Sequence, residues 1–317
     1  MAAALALGER GRGRTAPNPN VGCIIVRDGR VVGRGWTQPG GRPHAEAMAL
    51  EQAGAQAAGA TLYTTLEPCA HPSPRGPTCS DLIVAASIGR VVSALVDPDE
   101  RTSGQGIERL RAAGIGITHG PGAAAARTSM AGFLTRLTRG RPHITLKLAT
   151  SLDGQIALAD GTSKWITGPQ ARAHGHLERA RHEAILVGRG TVAADSPTLD
   201  VRLAGLEDRS PRRLVLTSTA VAAPGWDTLH RPADVALLDG VNDVLVEGGA
   251  QTAAAFLAED LVDRLILYRA PILIGGGRPA LADIGLTDLS IAHGRWQRRD
   301  ARTLGVDRLE VYERVRE

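Results

Sequence analysis

Side chains suited to metal-assisted hydrolysis are grouped between Pro43 and Cys79. The imidazole of His44 and the carboxylate of Glu46 come first, and the thiols of Cys69 and Cys79 follow. One nitrogen and two sulfur ligands, with a fourth position left open, are the ligand set of a catalytic zinc. Zinc lowers the pKa of its bound water to about 7. Glu46 would bind no metal and would carry the proton of that water to a leaving amine.

Elements around these residues must bring them to one ion. Pro43 suits the first turn of a helix, and the alanine-rich sequence after it favours a helix. Residues two apart do not share a helix face, so His44 and Glu46 can converge only from a first turn. Residues 60–65 are predicted to form a strand that delivers Cys69. The second cysteine precedes another predicted helix, whose dipole favours its thiolate.

The motif resembles that of the cytidine-deaminase-like zinc deaminases, His-x-Glu followed by Pro-Cys-x-x-Cys. Here nine residues separate the cysteines. This longer loop, with Asn18-Pro-Asn-Val-Gly upstream, is similar to that of the bifunctional riboflavin-biosynthesis deaminase–reductases. The resemblance implies that Asn18 contacts substrate and that His71 lies in the pocket. Relatives carry a histidine seven residues before the zinc histidine, where this chain has Thr37. The structural alternatives are a turn residue for Asn18 and a solvated loop residue for His71.

Composition excludes several function classes. The net charge is only +4, it is spread along the chain, and aromatic residues make up 3%. A nucleic-acid-binding role is therefore not expected. Of 37 basic residues only Lys147 and Lys164 are lysines. No apolar run approaches the roughly 20 residues of a membrane span. With two of three cysteines assigned to metal, no disulfide framework follows, and a reducing cytoplasm is the expected location.

The order of elements predicts two α/β domains, residues 1–140 and 141–317. In the first, Asp28-Gly29 between two apolar runs predicts a hairpin, and alternating strands and helices predict a three-layer domain. Residues 123–137 are predicted to form one helix before a linker at 138–142.

The second half contains a strand ending in Glu247, two glycines and a helix start at Ala250. Such a turn exposes free amides to a phosphate. By itself this is a weak signal, because any tight strand–helix turn can use two glycines. The stretch from Lys147 to Gly154, followed by Ser163-Lys-Trp165, resembles the reductase half of the same bifunctional enzymes. That resemblance implies a dihydrofolate-reductase-like fold and NADPH as cofactor.

Individual residues of this half carry roles only through the resemblance. It implies NADPH contacts at Thr150, Trp165, Thr191, Asp195, Ser218, Gly249, Ala250, Gln251 and Thr252. It implies substrate contacts at Ser163, Arg179, Leu199, Arg202 and Glu247. The two arginines suit a bidentate grip on a phosphate. Arg189, or backbone amides near Ser218, is the hypothesis for the NADPH 2′-phosphate. No general acid is evident from the sequence.

Taken together, the resemblance implies a bifunctional enzyme of riboflavin biosynthesis. A diaminopyrimidinone carrying a ribosylamino phosphate would be deaminated, and its ribosyl group would then be reduced to ribityl. The partner would be this phosphorylated pyrimidine, and relatives imply a homo-oligomer formed through the reductase half. One alternative is a zinc deaminase of another base with a non-catalytic second domain. The other is a non-catalytic binding protein, which would be expected to lose Glu46.

Overall fold

The computed structural model describes residues 1–219 and 224–316. The chain divides into two compact units, Met1–Gly140 and Arg141–Glu317. Each unit has its own sheet and its own buried apolar core. In the described part of the chain, none of the helices is long and apolar enough to cross a membrane.

The first unit is built on a mixed five-stranded sheet. Its strands are β1 (Gly22–Arg27), β2 (Arg30–Trp36), β3 (Thr61–Thr64), β4 (Arg90–Ser93) and β5 (Gly116–His119). Its helices are α1 (Ala2–Gly8), α2 (Ala45–Ala53), α3 (Cys79–Ala85), α4 (Gln105–Ala112), α5 (Ala123–Ser129) and α6 (Ala131–Arg139). The strand order is β2-β1-β3-β4-β5. Strand β1 is antiparallel to both neighbours, and β3, β4 and β5 are parallel.

The predicted hairpin is confirmed. Strands β1 and β2 pair through Arg27 and Arg30, and the two residues between them are Asp28 and Gly29. Both have positive φ, 50° and 73°. Two positive φ values in a two-residue loop match the twist of the flanking strands, and Asp-Gly is a favoured pair for this turn.

Helix α2 lies unusually close to the sheet. A Cβ atom on Gly35 of β2 would stand 2.0 Å from the carbonyl oxygen of Ala45, and one on Gly33 would stand 2.1 Å from that of Ala49. Glycine on the strand and alanine on the helix therefore let the two backbones meet. The start of α2, which carries the zinc-motif histidine, is fixed against β2 as a result.

The second unit is built on an eight-stranded sheet. Its elements are β6 (His143–Thr150), β7 (Gln155–Ala157), α7 (Pro169–Arg179), β8 (Ala184–Gly188), α8 (Arg189–Asp195), β9 (Arg212–Leu216), β10 (Asp227–Leu229), β11 (Asp243–Val246), α9 (Ala250–Ala258), β12 (Arg264–Arg269), β13 (Arg278–Pro279), β14 (Trp296–Leu304) and β15 (Asp307–Arg314). The order is β10-β9-β8-β11-β6-β12-β15-β14, and β13 and β7 form a separate pair.

Parallel pairing runs from β10 to β12, and the last two strands of the sheet are antiparallel. Strands β6, β8 and β11 are almost wholly buried, which is expected of parallel strands covered on both faces. These mixed sheets with helices confirm the predicted α/β class. The carboxyl ends of the parallel strands lie along one edge of the sheet, where α/β folds bind ligands.

Two local predictions are wrong. The helix predicted at residues 123–137 is two helices that break at Met130, whose side chain is buried in the core. Beside the break, Ser129 donates to Glu9, and its hydroxyl accepts from Asn20. Pro43 lies outside α2, because His44 is the N-cap residue. The segment after Gly188, for which the sequence predicted no element, forms the short helix α8.

Candidate active sites

The first unit brings the three predicted zinc ligands together. The Nδ1 atom of His44 lies 3.3 Å from Sγ of Cys79 and 3.6 Å from Sγ of Cys69. All three ligand atoms fall within 4.8 Å of one another. A tetrahedron with zinc–sulfur and zinc–nitrogen bonds of about 2.1–2.3 Å has edges of about 3.6 Å. These side chains therefore fit a zinc ion in both donor type and spacing.

Helix starts position two of these ligands. His44 is the N-cap residue of α2, and Cys79 is the first residue of α3. Thr78 caps α3 by accepting the backbone N–H of Asp81 at 3.1 Å. The N–H of Cys79 donates to Sγ of Cys69 at 3.3 Å. A hydrogen bond from the side chain of Cys79, with further hydrogen bonds from His44 and from the Cys79 backbone, lowers the pKa of Cys69 to about 4.

Glu67 fixes the loop that carries Cys69. Its carboxylate accepts the backbone N–H groups of Asp97 at 3.1 Å, Gly104 at 3.0 Å, Gly106 at 3.0 Å and Ile107 at 3.2 Å. Glu67 is 2% exposed. The zinc loop is therefore bound to the amino end of α4, where unpaired N–H groups need an acceptor. Sequence reasoning missed this role, although an acidic residue two positions before the cysteine was a possible signal.

Glu46 lies beside the ligands without belonging to their set. It is 3% exposed and occupies the first turn of α2. One carboxylate oxygen accepts the hydroxyl of Thr64 at 3.2 Å, and the other lies 3.4 Å from Sγ of Cys79. Burial raises the pKa of Glu46. A buried carboxylate at this distance from a metal position can take up and return protons.

Asn18, Thr37 and His71 lie in the same unit as this cluster and differ in burial and in their hydrogen-bond partners. Asn18 lies against Gly41, where an added Cβ would be 1.6 Å from the Asn18 amide nitrogen. Thr37 is 2% exposed, and its hydroxyl accepts the N–H of Val21 at 3.0 Å. The Thr37 hydroxyl therefore supports the backbone at Val21. His71 is half-buried, with Nδ1 3.0 Å from the hydroxyl of Thr102.

The second unit contains a cavity of about 1490 Å³ at the carboxyl ends of its parallel strands. This exceeds the ~300–1,000 Å³ of an ordinary small-molecule pocket, so a dinucleotide and a substrate can share it. Twelve predicted residues line it: Ser163, Trp165, Arg179, Thr191, Asp195, Arg202, Ser218, Glu247, Gly249, Ala250, Gln251 and Thr252.

Two predicted residues do not line this cavity. Thr150, at the end of β6, is 3% exposed. Leu199 is 4% exposed and packs in a cluster with Ile185, Val187 and Leu245. Both side chains are buried, and their predicted contacts with NADPH and substrate remain predictions.

The turn between β11 and α9 has the geometry of an anion site. Gly249 is the N-cap residue of α9, and no side chain there accepts a backbone N–H of the first turn. The cavity is lined by Gly248, Gly249 and Ala250 at this point. Free N–H groups and the positive end of the helix dipole therefore face the cavity, as a pyrophosphate requires.

A buried charge cluster forms another part of the cavity wall. Arg179 donates to the two carboxylate oxygens of Glu247 at 2.8 and 2.9 Å, and Nζ of Lys147 lies 3.6 Å away. Burial acts to raise the pKa of Glu247, but Lys147 and Arg179 bring it down to about 2. Sequence reasoning missed Lys147 as a site residue, although a lysine in so arginine-rich a chain was a signal.

This cluster changes the expected grip on a phosphate. The predicted bidentate grip used Arg179 and Arg202 together. Arg179 is committed to Glu247 and to the carbonyl oxygen of Asp200 at 3.1 Å, because a buried carboxylate requires a partner. The side chain of Arg202 is 61% exposed and 3.5 Å from the carboxylate of Asp200. Arg202 is therefore the freer of the two for a ligand.

Trp165 presents an exposed ring at the cavity. It is 65% exposed, and the guanidinium of Arg172 lies 4.6 Å from the ring centroid. Next to it, Lys164 pairs with Asp195 at 3.1 Å. An exposed aromatic ring backed by a cation on one face offers the other face for stacking.

Two protein families match this chain in succession. The family described as the cytidine and deoxycytidylate deaminase zinc-binding region matches residues 1–95. The family described as the RibD C-terminal domain matches residues 142–231 and 236–307.

Curated relatives match almost the full chain. The riboflavin biosynthesis protein RibD of Escherichia coli is 40% identical over 355 residues, which cover 97% of this chain and 96% of that protein. RibD of Mycobacterium tuberculosis is 40% identical over 313 residues, covering 94% and 91%.

Solved structures are similar over the same length. Form 1 of Acinetobacter baumannii RibD has a TM-score of 0.85 and 36% identity, covering 100% of this chain and 98% of that one. A Thermotoga maritima protein has a TM-score of 0.88 and 32% identity, covering 99% and 97%. The latter is a diaminohydroxyphosphoribosylaminopyrimidine deaminase/5-amino-6-(5-phosphoribosylamino)uracil reductase.

Proposed function

The chain belongs to the RibD family of riboflavin biosynthesis proteins, and on this premise we propose how its two units divide the work. The protein is a bifunctional deaminase and reductase that uses zinc and NADPH. Met1–Gly140 carries the deaminase, and Arg141–Glu317 carries the reductase. The zinc-ligand cluster in the first unit and the large cavity in the second support this division.

In the first unit, His44, Cys69 and Cys79 would hold zinc. When bound, zinc supplies a Lewis acid that makes water available as a nucleophile at neutral pH. Glu46, buried beside the ligands, takes one proton from the water and passes it to the ring nitrogen. It then passes the second proton of that water to the departing amine, which leaves as ammonia. Water enters and ammonia leaves, so the amino-bearing ring carbon gains an oxygen. Asn18 is proposed to orient the pyrimidine, and its place beside Gly41, three residues before His44, supports this.

In the second unit, NADPH supplies a hydride when bound. The pyrophosphate is proposed to lie on the turn from Gly249 to Thr252, with Trp165, Thr191, Asp195 and Ser218 as further contacts. Substrate contacts are proposed at Ser163, Arg202 and Glu247, and Arg179 holds the Glu247 carboxylate in place. The NADPH contact of Thr150 and the substrate contact of Leu199 remain part of the proposal, although both side chains are buried.

One experiment tests both halves of this function. The diaminopyrimidinone ribosylamino phosphate is supplied with NADPH, and ammonia release and NADPH oxidation are followed separately. We expect ammonia first and NADPH oxidation only after it, each equimolar with substrate. Ammonia without NADPH oxidation would favour a zinc deaminase with a non-catalytic second domain. Against that alternative, twelve of the predicted cofactor- and substrate-binding residues line the cavity of the second unit.

We also propose a homo-oligomer formed through the second unit, in a reducing cytoplasmic environment. Large apolar side chains are exposed there, with Leu273 at 75%, Leu289 at 76% and Val306 at 72%. Exposed apolar surface of this kind supports self-association. All three cysteines are free thiols. The molar mass of the chain from light scattering tests the assembly, and a monomer at micromolar concentration would contradict it.

A further inference from the structure

The strand order places the two ends of a bound dinucleotide. The proposed pyrophosphate site follows β11, and the charge cluster of Lys147, Arg179 and Glu247 lies toward β6. The reacting end belongs beside that cluster. The adenosine end must then run the other way, across β8 to β9 and β10. Two strand spacings of about 4.8 Å each bring the adenosine ribose to the carboxyl end of β9.

Three side chains line the cavity at this end of the sheet. Arg189 follows β8, Ser218 comes soon after β9, and His230 directly follows β10. All three are exposed. They are contributed by three neighbouring strands, so the sheet itself holds them side by side.

A hydrogen bond to the backbone fixes the orientation of the His230 imidazole and places a proton on its Nδ1 atom. Its Nδ1 atom lies 3.1 Å from the carbonyl oxygen of Thr217. A carbonyl oxygen can only accept, so Nδ1 carries a proton and donates it. When the ring is protonated, Nε2 is then its second donor, on a ring already held in place.

The two carboxylates among the described residues that line the cavity already have cationic partners: Glu247 pairs with Arg179, and Asp195 pairs with Lys164 at 3.1 Å. The nearby carboxylate of Asp234 is engaged elsewhere. It accepts the backbone N–H groups of His230 at 3.0 Å and Arg231 at 2.9 Å, and it pairs with the Arg231 guanidinium at 3.3 Å. Sites that prefer NAD present an acidic residue to the ribose, whereas a 2′-phosphate needs donors and positive charge.

We propose that His230, together with Arg189, binds the 2′-phosphate of NADPH and so sets the preference for NADPH over NADH. The proposal rests on the reductase function of the second unit. Arg189 was a hypothesis from the sequence alone, and His230 was not, because only the strand order β10-β9-β8 brings residues 189 and 230 to the same edge of the sheet.

A pair of substitutions separates the two nitrogen atoms of His230. In His230→Asn the amide nitrogen lies as many bonds from the backbone as Nδ1, so the bond to Thr217 can persist while Nε2 is lost. In His230→Gln the amide nitrogen corresponds to Nε2. His293→Asn, at an exposed position in the same unit, is the matched control. Dissociation constants are measured by calorimetry for NADPH, NADH, adenosine 2′,5′-bisphosphate and 5′-AMP. All are measured at one pH, because a phosphate monoester itself gains charge near pH 6.

We expect His230→Asn to weaken NADPH and the 2′,5′-bisphosphate about tenfold, the loss of one charge-assisted hydrogen bond. NADH and 5′-AMP should bind as before, His230→Gln should recover part of the loss, and Arg189→Ala should give the same selective loss. Equal weakening of both ligand classes, or no change for NADPH, would overturn the role of His230. In either case wild-type NADPH binding would leave the reductase standing, whereas a wild type that binds neither dinucleotide would contradict both.

Discussion

In the proposed mechanism, Glu46 is the side chain that transfers protons during deamination. Replacing it with glutamine keeps its size and the hydrogen bond from Thr64, but the amide can neither accept nor return a proton. We expect Glu46→Gln to retain zinc and to lose deamination by at least the ~10²–10⁴-fold of general acid–base catalysis. Ammonia release with a parallel zinc assay checks this. Reduction of the already deaminated intermediate should survive, and near-normal deamination would mean that another residue moves the proton.

At the residue scale, the sequence predicted the candidate metal ligands better than the side chains that hold the site residues in place. His44, Cys69, Cys79 and Glu46 follow from residue type and spacing, because a metal imposes both. Glu67 and Lys147 do not, since each acts through partners distant in the sequence. Thr37 could not be interpreted from the sequence either. Its hydroxyl accepts a hydrogen bond from the backbone N–H of Val21, and no spacing rule predicts that contact.

Among the elements, α4 depends on a side chain outside itself. The Glu67 carboxylate caps its amino end and holds the zinc loop. Glu67→Gln replaces one accepting oxygen with an amino group that faces backbone N–H groups. Hydrogen bonds to a charged group contribute about 1.5–3 kcal/mol, so the first unit should lose stability of at least that order.

Urea unfolding and zinc retention in mild chelator measure this effect. Glu108→Gln, an exposed substitution on the same helix, is the control. The control should change stability by well under 1 kcal/mol, as one exposed charge near a helix start does. Equal effects of the two substitutions would show that Glu67 is not the cap.

The stability of the second unit should depend on pH through Glu183, at the amino end of the parallel strand β8. Glu183 precedes β8, and its carboxylate accepts the N–H groups of Asn242 at 3.3 Å and Asp243 at 2.8 Å. Burial, then the charge of Asp243, raises the pKa of Glu183 to about 8. The folded state thus holds this proton more tightly than the unfolded state. The stability that it adds is complete below about pH 4.3 and is lost as the pH rises through 8.

Glu183→Gln keeps an accepting oxygen for the two N–H groups and removes the charge. We expect the free energy of unfolding of the variant to exceed that of the wild type at pH 8–9, with the gain disappearing near pH 4. Urea titrations across this range, with exposed Glu259→Gln as control, measure it. A gain that is the same at every pH would exclude ionisation of Glu183 as its cause.

Element prediction worked where local chemistry decides and was wrong where tertiary contacts do. The Asp28-Gly29 turn could be read directly, and so could the strand predicted at residues 60–65, which is observed at Thr61–Thr64. The break at Met130 could not, because it depends on a core position and on contacts of Ser129 with the first helix region. The start of α2 shifted past Pro43 because His44 takes the cap position.

At the scale of the whole molecule, each unit has its own apolar core, so we expect each unit to fold without the other. The first unit contains the His44–Cys69–Cys79 group, which is the single cluster of three metal-binding side chains among the described residues. We expect residues 1–140 expressed alone to bind one zinc per chain, and residues 141–317 alone to bind none. Metal analysis after gel filtration checks this. Zinc retained by the second half would contradict the division.

The scarcity of lysine has a consequence for chemical labelling. Lys147 and Lys164, the two lysines of the chain, both line the cavity of the second unit. The side chain of Lys164 is 56% exposed and that of Lys147 is 23% exposed. An acylating reagent can therefore modify lysine only inside this cavity, and Lys164 should react first. A dinucleotide lying across the cavity would shield it, so the mass of one labelled peptide would report occupancy without any turnover.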